Sequence, residues 1–187
     1  KDLRSQATDE LRKLGRDPQA GVRRQGFVLD WWVLTPIDDP DGKGLQKKHF
    51  PEERIRLDQV EQDGGKRYRW QRLTEVSLDG RFNLLTSFRK SENVVTYAYT
   101  EVDSPKEADA LFKMGSDDGI ACWLNGERIH LNDVPRGLTV DADTVKARLA
   151  SGKNRILLKI RNGSGDFGFA FRITDADGKP MDLTSAK

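Results

Sequence analysis

Residues 115–129 read GSDDGIACWLNGERI. Asn125-Gly126 is the strongest short hairpin signal a sequence carries, because both central residues of a type I′ turn need φ > 0. The five residues before it alternate, with Ile120, Cys122 and Leu124 set against Ala121 and Trp123, which is the period of a β-strand. ERIHL is expected to return as the partner strand. In front of the strand stand Asp117, Asp118 and Gly119, and two readings of them stay open. The carboxylates form the mouth of a metal or sugar site at the rim of a β-sandwich, or Asp117 caps a tight turn for which Gly119 supplies the backbone freedom.

Outward from this stretch the same period recurs. ADALFKMG (108–115) places Ala110, Phe112 and Met114 on one face. NVVTYAYTEV (93–102) sets Val94, Thr96, Ala98 and Thr100 against Val95, Tyr97 and Tyr99. RILLKIRN points Ile156, Leu158 and Ile160 inward, and FGFAFRIT does the same with Phe167, Phe169, Phe171 and Ile173. KRYRWQRLTEV (66–76) alternates Tyr68 and Trp70 against Arg67, Arg69 and Gln71. Many short strands separated by turn signals, with no helical pattern between them, predict an all-β sandwich over residues 26–180.

Two segments depart from this pattern. DLRSQATDELRKLG (2–15) carries Leu3, Ala7, Leu11 and Leu14 on one stripe and stops at Gly15, which predicts a short N-terminal helix in a lead-in over residues 1–20. That helix either ends an upstream helical region or packs on the edge of the sandwich. PIDDPDGKGLQKKHFPEER (36–54) is polar and punctuated by Pro and Gly, and reads as a long surface loop.

Composition narrows the function classes. At 187 residues the chain can bury one sizeable core. Charged residues make up 33% of it, yet they cancel to a formal +2, which gives no basic patch of the kind nucleic acid calls for. No apolar run approaches the roughly 18 residues that cross a bilayer. A first residue other than Met suggests a piece of something longer. Cys122 is the single cysteine, so no disulfide frames the fold; placed mid-strand, it reads as a buried thiol.

The order of features from 94 to 180 resembles the galactose-binding-like jelly roll, as found in the sugar-binding domains of β-galactosidase-type glycoside hydrolases. In that pattern one strand reads W-l-N-G, matched by Trp123, Leu124, Asn125 and Gly126. A later G-x-N turn is matched by Gly152 and Asn154. The form SDDG-x-x-x-W-x-N-G is also similar to the protective-antigen type of lectin-like domain, and closer still to accessory modules of large secreted bacterial proteins. Those modules carry N-D-V-x-R-G-L-T, here Asn132 to Thr139. The resemblance covers about half the chain and is specific for fold, whereas jelly rolls host many unrelated tasks. In the lectin-like relatives the Asp-Asp pair holds Ca²⁺, which in turn holds sugar hydroxyls. This sequence departs from them downstream, where Asn132, Asp133, Asp141 and Asp143 are only candidates for completing such a site.

The ligand-binding candidates are therefore Asp117, Asp118, Arg136, Asn132 and Trp31, with Asp117 and Asp118 as the metal candidates and Ca²⁺ as the one cofactor implied. Hard cations of this kind take six to eight oxygens. Arg136, amid acidic residues, forms either a bidentate carboxylate pair or a grip on a sugar. Of the adjacent Trp31 and Trp32, one must face away from the core. Trp31 is expected outward, as a stacking platform or a contact with the N-terminal helix. His49 and His130 lack metal-ligand spacing. No Ser-His-Asp, Cys-His or organised carboxylate pair suggests catalysis, and GSGDFG (163–168) has no helix behind it to hold a phosphate. The expectation is a non-catalytic accessory module of a larger protein, secreted, periplasmic or envelope-associated. It would bind polysaccharide or glycan weakly at a loop rim, beside other domains of its parent, without nucleic acid or membrane insertion. The alternative is a structural spacer or protein-interaction sandwich without a small-molecule ligand.

Overall fold

The computed structural model describes residues 10, 13–15, 17–73 and 76–185. Most of the helix expected over 2–15 lies outside the described residues. Among the described residues a single turn of helix, α1 (Ala20–Arg23), precedes thirteen strands. These are β1 (Trp32–Leu34), β2 (Ile37–Asp38), β3 (Val60–Asp63), β4 (Lys66–Arg72), β5 (Arg81–Asn83), β6 (Val94–Ser104) and β7 (Ala108–Asp117), then β8 (Ile120–Leu124), β9 (Glu127–Asn132), β10 (Asp143–Leu149), β11 (Gly152–Asn162), β12 (Gly168–Thr174) and β13 (Thr184–Ser185).

The strands form two antiparallel sheets. The larger runs β3-β4-β1-β6-β11-β8-β9, with β2 and β13 also pairing along β6; the smaller runs β10-β7-β12-β5. The hairpin forms where Asn-Gly requires it, since Asn125 (φ 52°) and Gly126 (φ 92°) both take the left-handed conformation. β13 adds Thr184 and Ser185 opposite Asp103 and Val102, so the sheet continues past residue 180.

Alternation along each strand sends one set of side chains between the sheets. Ile120, Cys122 and Leu124, Ile156, Leu158 and Ile160, Ala110, Phe112 and Met114, and Phe167, Phe169, Phe171 and Ile173 all meet there. Phe82 stacks on Phe169 at 5.0 Å, and Phe112 meets Phe171 edge-on at 5.1 Å. Burying one such ring is worth about 1.5–3 kcal/mol. Burial raises the Cys122 thiol well above its ordinary range, leaving it an inert apolar filler.

Trp31 is a correction. It is fully buried between the sheets, edge-on to Phe169 and Phe171 at 5.3 and 5.5 Å, with its indole N–H donated to the Val28 carbonyl at 2.7 Å. No ring face is left for a sugar. Trp32 is the outward neighbour, and the Arg72 guanidinium lies 4.6 Å over its ring.

The opposite face of the large sheet is also apolar. Leu34, Tyr68, Trp70, Tyr97, Tyr99, Trp123 and Leu157 form a second cluster there. The 36–54 segment is not a free surface loop: Leu45 packs fully into this cluster, with Phe50 and Ile55 partly covering it. Beneath the segment the Lys159 side chain, wholly buried, donates to Glu52 Oε1 at 2.9 Å and to the Leu45 and Lys47 carbonyls. A lysine in an apolar strand is thus neutralised by the segment that covers it.

Candidate functional site

The Asp117–Asp118 peptide, which is cis, lies between the end of β7 and the start of β8. Asp118 is held by backbone on three sides. Its Oδ1 accepts the Arg136 N–H (3.0 Å), its Oδ2 accepts the Gly163 N–H (2.8 Å), and its own N–H donates to the Arg161 carbonyl (2.8 Å). One carboxylate thereby ties the 132–139 loop and the 163–166 turn to the tip of β7.

Glycines permit this closeness. A Cβ on Gly115 would lie 2.0 Å from the Thr139 carbonyl oxygen, so only glycine lets the 133–142 loop lie against β7. A Cβ on Gly119 would meet Leu45 Cδ1 at 2.6 Å and the Asn132 carbonyl at 3.1 Å.

Arg136 completes the loop from within. Its guanidinium donates to Ser116 Oγ (2.9 Å), to the Asp118 carbonyl (3.3 Å) and to the Asp143 carboxylate. Asn132 donates its amide to the other oxygen of Asp143 at 2.7 Å. Burial pushes the Asp143 carboxyl up, but Arg136 and Asn132 outweigh it and hold the group below its ordinary value. His130 Nε2 lies 3.6 Å from the same carboxylate. Arg136 reaches Asp143 through one nitrogen only, so the carboxylate contact is single, not the bidentate pair that one reading expects.

The remaining acidic candidates are occupied elsewhere. Asp133 accepts from Arg161 (3.0 Å) and Gln46 (2.8 Å), and Asp141 pairs with Arg172. Carboxylates neutralised by arginine are poor donors to a cation. Asp117 differs: it makes no ion pair among the described residues. Desolvation first, then the neighbouring charges of Asp118 and Asp166, push its carboxyl up to about 6, against a partial pull-down from the Leu138 backbone. Asp166, exposed at the end of the 163–166 turn, completes an acidic rim. In the sequence GSGD shows only as a turn, and the one signal of the rim is Asp166 two residues before β12.

No family model matches this chain, and no curated protein matches it. Several solved structures are similar to it at low identity. One is the PA14 domain of the antifreeze protein MpAFP, 16% identical, with 49% of this chain and 52% of that one aligned and a TM-score of 0.39. Another is the PA14 sugar-binding domain of an RTX adhesin, 13% identical, covering 49% and 51%, with a TM-score of 0.40. A third is a β-glucosidase from Kluyveromyces marxianus in complex with glucose, 12% identical, covering 78% of this chain but 16% of the enzyme, with a TM-score of 0.49. The match thus spans about half of each PA14 chain and a small part of the enzyme. These likenesses are too distant to assign a ligand.

The rim offers a hard dication one carboxylate, Asp117, that makes no ion pair among the described residues, beside Asp118, whose two oxygens already accept backbone N–H bonds. Hard cations take oxygen donors of this kind. Side chains alone do not reach the six to eight donors required: no three Asp, Glu, His or Cys side chains among the described residues enclose a common point. Backbone carbonyls, water and ligand hydroxyls would have to supply the rest. No helix among the described residues is long and apolar enough to cross a membrane.

Proposed function

We propose that this chain is a non-catalytic carbohydrate-binding module, of jelly-roll and galactose-binding-like type, that serves a larger secreted or envelope-associated protein. One observation carries the reading. Asp117 stands at the rim as a carboxylate without an ion-pair partner among the described residues, raised by burial and by two neighbouring acids. The adjacent carboxylates of Asp133, Asp141 and Asp143 are each paired with an arginine. Such local excess negative charge is relieved by a cation or by hydroxyl donors, and a glycan supplies the latter.

Asp117 and Asp118 would hold Ca²⁺, which when bound offers further coordination positions to vicinal hydroxyls. Asp118 contributes the lone pairs left over from its two backbone bonds, and those bonds fix its direction in advance. Arg136 and Asn132 act on the rim from behind, by anchoring the loop through Asp143.

Glycan-array binding with and without a chelator tests this reading. Weak binding that the chelator removes supports it. No binding at millimolar glycan, together with an unchanged melting temperature on chelation, contradicts it.

A second reading is a ligand-free structural or protein-interaction sandwich. It is favoured by Asp118 itself, whose two oxygens are both engaged in pinning loops. In that case Asp118 substitution lowers stability and alters no binding.

A further inference from the structure

The outer face of the large sheet carries an unassigned cleft that shares no residue with the rim. Strand register builds its floor. Leu157 on β11 lies opposite Tyr99 on β6 and Trp123 on β8, so the three side chains form one row across the sheet. Two residues along, Arg155 lies opposite Glu101, which puts a cation beside an anion on the same face. The wall is the turn at 51–55, which brings Glu52 over the row. The cleft is half open to solvent and has a volume of about 390 Å³, within the range of small-molecule sites.

The two carboxylates are fixed before any ligand arrives. Glu52 Oε1 accepts from the buried Lys159 ammonium at 2.9 Å and from the Tyr97 hydroxyl at 2.5 Å, so the carboxylate cannot swing freely. Glu101 accepts the Tyr99 hydroxyl at 2.6 Å on one oxygen and Lys153 at 2.7 Å on the other, leaving a lone pair on each. Arg155 is exposed and makes no ion pair among the described residues.

We infer that this cleft binds a neutral polyhydroxylated ligand, one saccharide unit in size, with Glu52 and Glu101 accepting its hydroxyls, Arg155 donating to them, and Trp123 and Leu157 beneath its C–H face. The mixture of charges selects this class. An anion meets Glu52 and Glu101, and a cation meets Arg155, whereas a hydroxyl both donates and accepts and so satisfies carboxylate and guanidinium together. The apolar row removes water from one side of the ligand and supplies the dispersion contact of a ring face. The site is separate from the rim and requires no metal.

The test is an NMR titration of the intact chain with lactose, cellobiose and maltose, read at the Trp123 indole N–H. The expected result is a saturable shift with a midpoint of roughly 1–10 mM for at least one of them. Arg155→Ala and Glu101→Gln each raise that midpoint about tenfold or more while leaving spectral dispersion unchanged, as suits exposed or half-exposed positions. Asp117→Asn and added chelator leave the midpoint unaltered, which separates this cleft from the rim. Three results would overturn the proposal: no Trp123 shift with any of the three sugars, a shift unaffected by both cleft substitutions, or a shift abolished by chelator. A Trp123 response confined to a lysine-rich or an acidic peptide would also overturn it, because the ligand would then be charged.

Discussion

Arg136 grips Asp118 at two points: its backbone N–H donates to the Asp118 carboxylate at 3.0 Å, and its guanidinium donates to the Asp118 carbonyl at 3.3 Å. Asp118 and the 132–139 loop are therefore one unit. Asp118→Ala leaves the Arg136 and Gly163 N–H groups without their acceptor. Each bond to a charged group contributes about 1.5–3 kcal/mol, so a loss of about 3 kcal/mol in unfolding free energy, read by chemical denaturation, is expected. A change below about 0.5 kcal/mol would show that water replaces the carboxylate freely.

The two motif elements that carry the fold resemblance meet in space. Asn125 donates its amide to Asn154 Oδ1 at 3.1 Å and accepts the Arg155 N–H at 2.8 Å. Asn154, fully buried, also bonds the Ala150 N–H and the Ala150 and Gly152 carbonyls, each at 2.9 Å. Asn154→Ala orphans several buried groups at once and should cost about 2–4 kcal/mol. Asn154→Asp, which lacks the amide donors, should recover little of it.

Much of the fold was legible because its signals are local. Asn125-Gly126 specifies a turn through its own backbone preferences, and the Phe167–Ile173 alternation fills the inter-sheet space as its period requires. Trp31 and Trp32 were exchanged because the large sheet is apolar on both faces. Period-2 alternation says that two neighbours point apart, not which one meets the partner sheet. The cover over the second face is the polar 36–54 segment, whose few apolar anchors, Leu45 and Phe50, are spaced too irregularly to register as packing. Lys159 was unreadable for the same reason, since its partner Glu52 lies 107 residues away. At the site, Asp117-Asp118 stood out in the chain. That Asp133, Asp141 and Asp143 are each claimed by an arginine is a long-range fact that no spacing discloses.

The Lys159–Glu52 pair gives a non-additive result. Burial pulls the Lys159 ammonium below its ordinary value while Glu52 supports its charge. Glu52→Leu alone strands that charge and should cost about 3–5 kcal/mol, whereas Glu52→Leu with Lys159→Met should be close to neutral. Chemical denaturation of the two single variants and the double variant completes the cycle; simple additivity would show that the pair is not coupled.

Asp117 makes the stability of the chain pH-dependent. Its folded carboxyl, raised to about 6, binds a proton more tightly than in the unfolded chain, where the ordinary value is 3.8. Its contribution to stability is therefore fully present below 3.8 and is lost as pH rises through about 6. Asp117→Asn removes this dependence, so its melting temperature should exceed that of the wild type at pH 7.5, and the gap should close toward pH 4. Parallel melting curves for both proteins across that range would refute the shift.

Calcium titration of the wild-type chain and of Asp117→Asn, each followed by glycan, measures the rim directly. The expected result is saturable calcium binding to the wild type, a melting temperature that rises with calcium, and glycan binding at the rim that appears only after calcium. All three should be lost in Asp117→Asn. Glycan binding at the rim that is indifferent to both calcium and Asp117, or no calcium binding at millimolar concentration, would contradict the assignment of Asp117 and Asp118.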